Sequence, residues 1–85
     1  MARVHIYTIP GCPYCSKAKR LLGLRGIPYE EQNVAGNERM RVWLRQTTGR
    51  QTVPQIFIDR EPIGGAAELE ALDVSGALRG LGRGR

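Results

Sequence analysis

Val4-His5-Ile6-Tyr7-Thr8, then Ile9-Pro10-Gly11, then Cys12-Pro13-Tyr14-Cys15 and an apolar-periodic run to Arg25 form the most informative part of the chain. The first five residues are β-branched and aromatic in character and predict a strand. Ile9-Pro10-Gly11 breaks it. Pro13 to Arg25 predicts a helix with Cys12 at its N-cap and Pro13 at its first position, where a missing N–H costs nothing. Ala18, Leu21, Leu22 and Arg25 follow the helical period, with Leu21 and Leu22 facing inward. Gly26 stops the helix and Pro28 lies just beyond.

Downstream, Tyr29–Val34 predicts a short second strand. Asn37 is an N-cap for a second helix in which Met40, Trp43, Leu44 and Thr47 share one buried face, and Gly49 ends it. Gln55-Ile56-Phe57-Ile58 predicts a third strand. Asp59-Arg60-Glu61 is a turn into a short edge strand at Pro62-Ile63. Gly64-Gly65 leads into a third helix, Ala66–Leu72. Asp73–Gly76 is then a turn before a last short helical piece. The order is βαβ followed by ββα. A helix between the first two strands makes them parallel with a right-handed crossover, and the last two strands make a hairpin. The expected fold is α/β: a four-stranded mixed sheet flanked by helices.

Eighty-five residues suffice for one small domain, in which folding hides only about 60% of the extended chain's surface. We expect a domain over 1–78 and a basic Gly/Arg tail over 79–85. Of the +5 net charge, three units are Arg79, Arg83 and Arg85. Ten basic against eight acidic residues leave +2 over 1–78. A tail with three arginines and no aromatic residue reads as a solubilising end, so no nucleic-acid partner is expected. No apolar run approaches the ~18 residues of a membrane span, and no secretory signal pattern is visible. The expectation is a cytoplasmic monomer whose two cysteines stay reduced.

A Cys-x-x-Cys pair is half of a zinc site or a redox dithiol. Beyond Cys12 and Cys15 the chain offers only His5 as a soft ligand, short of the four that a structural zinc site needs, so no metal is expected. The redox reading has a positive basis. Cys12 stands where unpaired N–H groups and the helix dipole favour an anion, and such positions lower a cysteine pKa from about 8.5 toward 3.5–7.5. Lys17 and Lys19 add positive charge nearby. Cys15 lies one turn further into the helix and should be more buried and less ionised. Cys12 is therefore the attacking thiolate and Cys15 the resolving one. A disulfide enclosing only Pro13 and Tyr14 adds little chain-entropy stabilisation, which argues for function over structure. Thr52-Val53-Pro54 is a second signal. It precedes the third strand, where the sheet brings a loop beside Cys12, and a cis Val53-Pro54 bond would present the Val53 backbone to an extended peptide.

Ile6-Tyr7-Thr8, Cys12-Pro13-Tyr14-Cys15, Thr52–Ile58 and Ile63-Gly64-Gly65, in this order and spacing, make the chain resemble a dithiol glutaredoxin of the bacterial type over residues 3–78. The resemblance implies a thioredoxin-like fold and glutathione-dependent reduction of glutathione mixed disulfides and protein disulfides. Glutathione would serve as the reducing cosubstrate, and ribonucleotide reductase is a protein client by resemblance only. It also implies a glutathione groove formed by Tyr14, by Thr52, Val53 and a cis Pro54, and by Gly65, Ala66 and Ala67. The N–H groups of Ala66 and Ala67 would receive the γ-glutamyl carboxylate.

Two positions depart from the family pattern. Many relatives carry a lysine three residues before the attacking cysteine, where this chain has Ile9. Relatives also follow Gly-Gly with a hydroxyl or acidic residue and then Asp, where this chain has Ala66-Ala67-Glu68. Arg45, Arg50 or Gln51 are the candidate substitutes at the other end of the tripeptide. His5 reads as a strand residue, Trp43 as a core anchor of the second helix, and Tyr14 as an exposed ligand contact. Two other readings stay open: a redoxin served by thioredoxin reductase, and a non-enzymatic [2Fe–2S] carrier bridging two chains through Cys12. Pro13 and Cys15 point away from the latter.

Overall fold

A computed structural model describes residues 3–79. The tail expected at 79–85 therefore lies, except for Arg79, outside the described residues. The element order is β1 (Val4–Thr8), α1 (Pro13–Leu24), β2 (Glu30–Asn33), α2 (Glu38–Thr48), β3 (Gln55–Ile58), β4 (Glu61–Gly64) and α3 (Ala66–Ser75). The strands form one mixed sheet in the order β2-β1-β3-β4. β1 runs parallel to β2, with His5 opposite Glu30 and Ile6 opposite Glu31. β3 is antiparallel to β1 and to β4.

The period-2 alternation of the two central strands divides the core between the sheet's faces. Val4, Ile6 and Ile56 pack with Ala18 and Leu22 of α1, with Leu69 of α3, and with Leu78. Phe57 points the other way and packs with Val34 and Leu44, joined by Tyr7, Ile9, Met40 and Val53. α1 and α3 thus cover one face and α2 the other. This places the start of α1, the loop before β3 and the start of α3 at the same end of the sheet.

Several boundaries differ from the sequence expectation, each for a local reason. α1 ends at Leu24 and Arg25 is its cap, donating its N–H to Leu21 O. β2 is Glu30–Asn33, shorter than 29–34 and exposed at every position, because it is the sheet's edge beside β1. On α2 it is Thr48, not Thr47, that turns inward, and its hydroxyl donates to Leu44 O at 2.8 Å. Trp43 is 42% exposed, yet its ring stacks on Phe57 at 5.7 Å and meets Tyr7 at 5.9 Å. It anchors α2 from the rim of the core. α3 runs through Asp73–Ser75, which had read as a turn, and stops at Gly76, whose φ of 86° is left-handed. One cause of the extension is the Arg25–Asp73 pair, two hydrogen bonds of 2.6 and 2.9 Å that tie the end of α1 to the last turn of α3. Residues 76–79 form a turn rather than a helix and bury Leu78.

Candidate active site

Three segments converge at the C-terminal end of β1. The first is Cys12 and the opening turn of α1. Cys12 has extended backbone angles and its sulfur caps the helix, accepting the Cys15 N–H at 3.2 Å. Cys12 is partly exposed and Cys15 is 2% exposed. Burial, followed by the hydrogen bond with Cys12, pushes the Cys15 thiol up to about 11. The two sulfurs therefore stand in different environments one turn apart: one open to solvent and held by a backbone donor, the other dry and protonated. The order of exposure expected from the sequence is the order found.

The second segment is the loop before β3. The Val53–Pro54 peptide bond is cis. The Cys12 thiol points at Val53 O, 3.9 Å away. The third is the start of α3. A methyl group on Gly65 would lie 3.2 Å from Pro54 O, a tight contact that shows how closely the two segments approach. The Gly65 N–H is capped by Glu68 Oε1 at 2.8 Å. The same carboxylate meets Arg50 Nη1 at 3.3 Å, and the Gly65 amide, with Arg50 beside it, holds the Glu68 carboxyl below the ordinary range.

Together these segments line a groove of about 370 Å³. Tyr14, Thr52, Val53, Pro54, Gly65, Ala66 and Ala67 all contribute to it, so every residue expected in the groove falls in one surface. Tyr14 is 65% exposed. Arg50 is also there, whereas Arg45 and Gln51 line an adjoining depression of about 180 Å³ under α2, with Val53 between the two. Ile9 packs into the α2-side core. Lys17 lines the groove but is paired with Glu70 at 3.1 Å. Lys19 is turned away from it, onto Glu31 at 3.0 Å. The positive charge that the sequence puts near Cys12 is thus divided between two sides of the helix, each lysine paired with a glutamate. Residues i+2 apart on a helix face different ways. His5 sits on β1 and meets Glu30 at 3.0 Å, away from the cysteines.

Residues 4–63 match the family model described as Glutaredoxin. The chain belongs to the glutaredoxin family. It is 49% identical over 78 residues to Glutaredoxin 3 of Escherichia coli K12, covering 92% of this chain and 94% of that one. A solution structure of glutaredoxin from Brucella melitensis superposes with a TM-score of 0.84 at 41% identity, covering all of this chain and 94% of that chain. A buckwheat glutaredoxin, crystallised as its glutathione complex, superposes with a TM-score of 0.87 at 26% identity over 94% of this chain and 76% of that one. The fold is the thioredoxin-like fold of the glutaredoxins, and thiol–disulfide redox chemistry is the family's function. Among the described residues no helix is long and apolar enough to cross a membrane.

Sequence reasoning named Lys17, Lys19 and Arg50 but missed the carboxylates that pair with them in this glutaredoxin, Glu70, Glu31 and Glu68. Glu70 as the partner of Lys17 and Glu31 as the partner of Lys19 both come from elements distant in sequence. Only Lys19, four residues after Cys15 on a helix, carried a local signal.

Proposed function

We propose that the chain is a glutathione-dependent thiol–disulfide oxidoreductase in which Cys12 is the nucleophile and Cys15 the resolving thiol. The observation that carries this reading is the placement of a solvent-facing, amide-bonded Cys12 sulfur beside Val53 at the mouth of the groove, with a buried Cys15 behind it. Deprotonated Cys12 attacks the sulfur of a disulfide R–S–S–R′, forming Cys12–S–S–R and expelling R′–S⁻, which takes up a proton. With a protein disulfide, Cys15 then attacks Cys12, closing the Cys12–Cys15 disulfide and releasing the second substrate sulfur as a thiol. One glutathione thiolate opens that disulfide to glutathionyl-Cys12, and a second releases oxidised glutathione and restores both thiols.

Glutathione fits the groove by chemistry. Val53 offers its backbone to the cysteinyl part, and the Ala66 and Ala67 amides at the start of α3 suit a carboxylate. A glutathione complex of the buckwheat relative supports the same use here. Arg50 supplies a cation in the groove, where Ile9 has none to offer. Substrates are glutathionylated or disulfide-bonded proteins, ribonucleotide reductase among them by family resemblance. The protein acts as a cytoplasmic monomer.

The test couples NADPH consumption to a small glutathione mixed disulfide. Turnover with glutathione plus glutathione reductase, and none with thioredoxin reductase alone, is the expected result. The opposite pattern would place the chain among redoxins served by thioredoxin reductase.

A further inference from the structure

Cys15 must lose its proton to resolve a mixed disulfide, yet it is buried and its thiol is pushed up to about 11. The surrounding groups show what offsets this. Lys19 lies four residues further along α1, and side chains at that spacing share a helix face with Cβ atoms about 5–6 Å apart. Two strands fix its direction. Lys19 Nζ lies 3.0 Å from Glu31 Oε2, and the same oxygen accepts the Thr8 hydroxyl at 2.7 Å. Thr8 is buried at the end of β1. The next residue, Ile9, turns its backbone to the Cys15 thiol. Among the described residues, the charged or titratable groups that act on Cys15 are Cys12 and Lys19, and those that act on Lys19 are Glu31, Tyr29 and Cys15. Lys17, two residues earlier, is held on the groove side by Glu70.

We propose that Lys19, held against the sheet by Glu31 and Thr8, is a positioning residue for the resolving step: its ammonium stabilises the Cys15 thiolate as that sulfur attacks Cys12. This rests on the dithiol reading above. In the step, the Cys15 proton leaves to solvent and the Cys15 sulfur forms a bond to Cys12 Sγ. The Cys12–S–S–R bond breaks, and R–S⁻ departs to take up a proton. Cys12 and Cys15 end as a disulfide and the substrate sulfur as a thiol. Glu31 has two opposed effects. It orients the ammonium, and its charge offsets part of the field that reaches Cys15. Gln at position 31 keeps an acceptor for Lys19 and Thr8 and removes that charge.

The test begins in a Cys12→Ser background, where Cys15 is the sole thiol and its ionisation is followed by ultraviolet thiolate absorbance. Lys19→Met should raise the Cys15 midpoint by about half a unit, a roughly threefold loss of thiolate at neutral pH. Glu31→Gln should lower it, and Lys19→Arg should leave it in place. In the dithiol protein preloaded with a mixed disulfide on Cys12, Lys19→Met should slow single-turnover release of the leaving thiol about threefold at neutral pH. The deficit should close as pH rises through the Cys15 midpoint. Loosened packing would wet Cys15 and move Lys19→Met and Glu31→Gln in the same direction. That result, or an unmoved midpoint in Lys19→Met, overturns the proposal. Absence of any release from the unsubstituted protein overturns the dithiol reading itself, and the Cys15 titration tells the two failures apart.

Discussion

The Cys15 amide donates to Cys12 Sγ across 3.2 Å. One backbone N–H of the first turn of α1 therefore caps the helix through the sulfur. The geometry ties the proposed nucleophile to the helix that carries its proposed partner. The side chain assigned the attack is the one that closes the end of the helix.

The two cysteines should separate the two activities. Cys12→Ser is expected to abolish both cleavage of glutathione mixed disulfides and reduction of protein disulfides. Cys15→Ser is expected to keep the first and lower the second by more than about tenfold, because no resolving thiolate remains. Parallel steady-state assays on a small mixed disulfide and on a disulfide-bonded protein check this. Loss of both activities in Cys15→Ser would contradict the roles.

Gly64 has φ of 114°, and a Cβ placed there would fall 2.6 Å from Glu68 Cγ. Gly64→Ala should displace Glu68 from the Gly65 amide, uncapping α3 beside the groove. We expect a loss of about 2 kcal/mol in denaturant unfolding, from backbone strain and the lost cap together. A weakened glutathione KM should accompany it.

Asp59 and Arg60 form the β3–β4 turn with φ of 51° and 72°. Paired left-handed residues of this kind favour glycine at the second position. Arg60 lies far from the groove and is exposed. Arg60→Gly should therefore stabilise the protein by about 1 kcal/mol in urea unfolding, with unchanged turnover. A destabilised variant would mean that the Arg60 side chain contributes more than its backbone costs.

Acid should weaken the fold from one side. Glu31 is lowered by the Thr8 hydroxyl and then by Lys19, Glu68 by the Gly65 amide, and Asp73 by Arg25. Carboxyls with folded pKa values below their unfolded ones contribute stability above the unfolded range, and it is lost as pH falls through the folded values. Tm should stay flat from about pH 7 to 5 and decline below about pH 4. Asp73→Asn should lower Tm at neutral pH and shrink that decline, as followed by circular dichroism.

The sequence by itself determined the βαβ-then-ββα order, a mixed sheet flanked by helices, and the cysteine at a helix start. These rest on local rules: β-branched and aromatic content in Val4–Thr8, the apolar run Ile56-Phe57-Ile58, Pro13 after a cap residue, and Gly49 at a helix end. It also picked out the groove segments, because Cys12-Pro13-Tyr14-Cys15, Thr52-Val53-Pro54 and Gly64-Gly65 each carry a recognisable pattern. Tertiary structure decided what depends on pairing across the chain. The Arg25–Asp73 bonds accompany a final turn of α3 that the composition of Asp73–Ser75 did not suggest. The β1–β2 register set Glu31 beside Lys19, and α3 set Glu70 beside Lys17. Those pairings turned two lysines that looked alike in sequence toward opposite sides of α1. A side chain's charge is written in the sequence, but the field it exerts depends on its direction and on the counter-charge beside it, and both are set only when the elements pack.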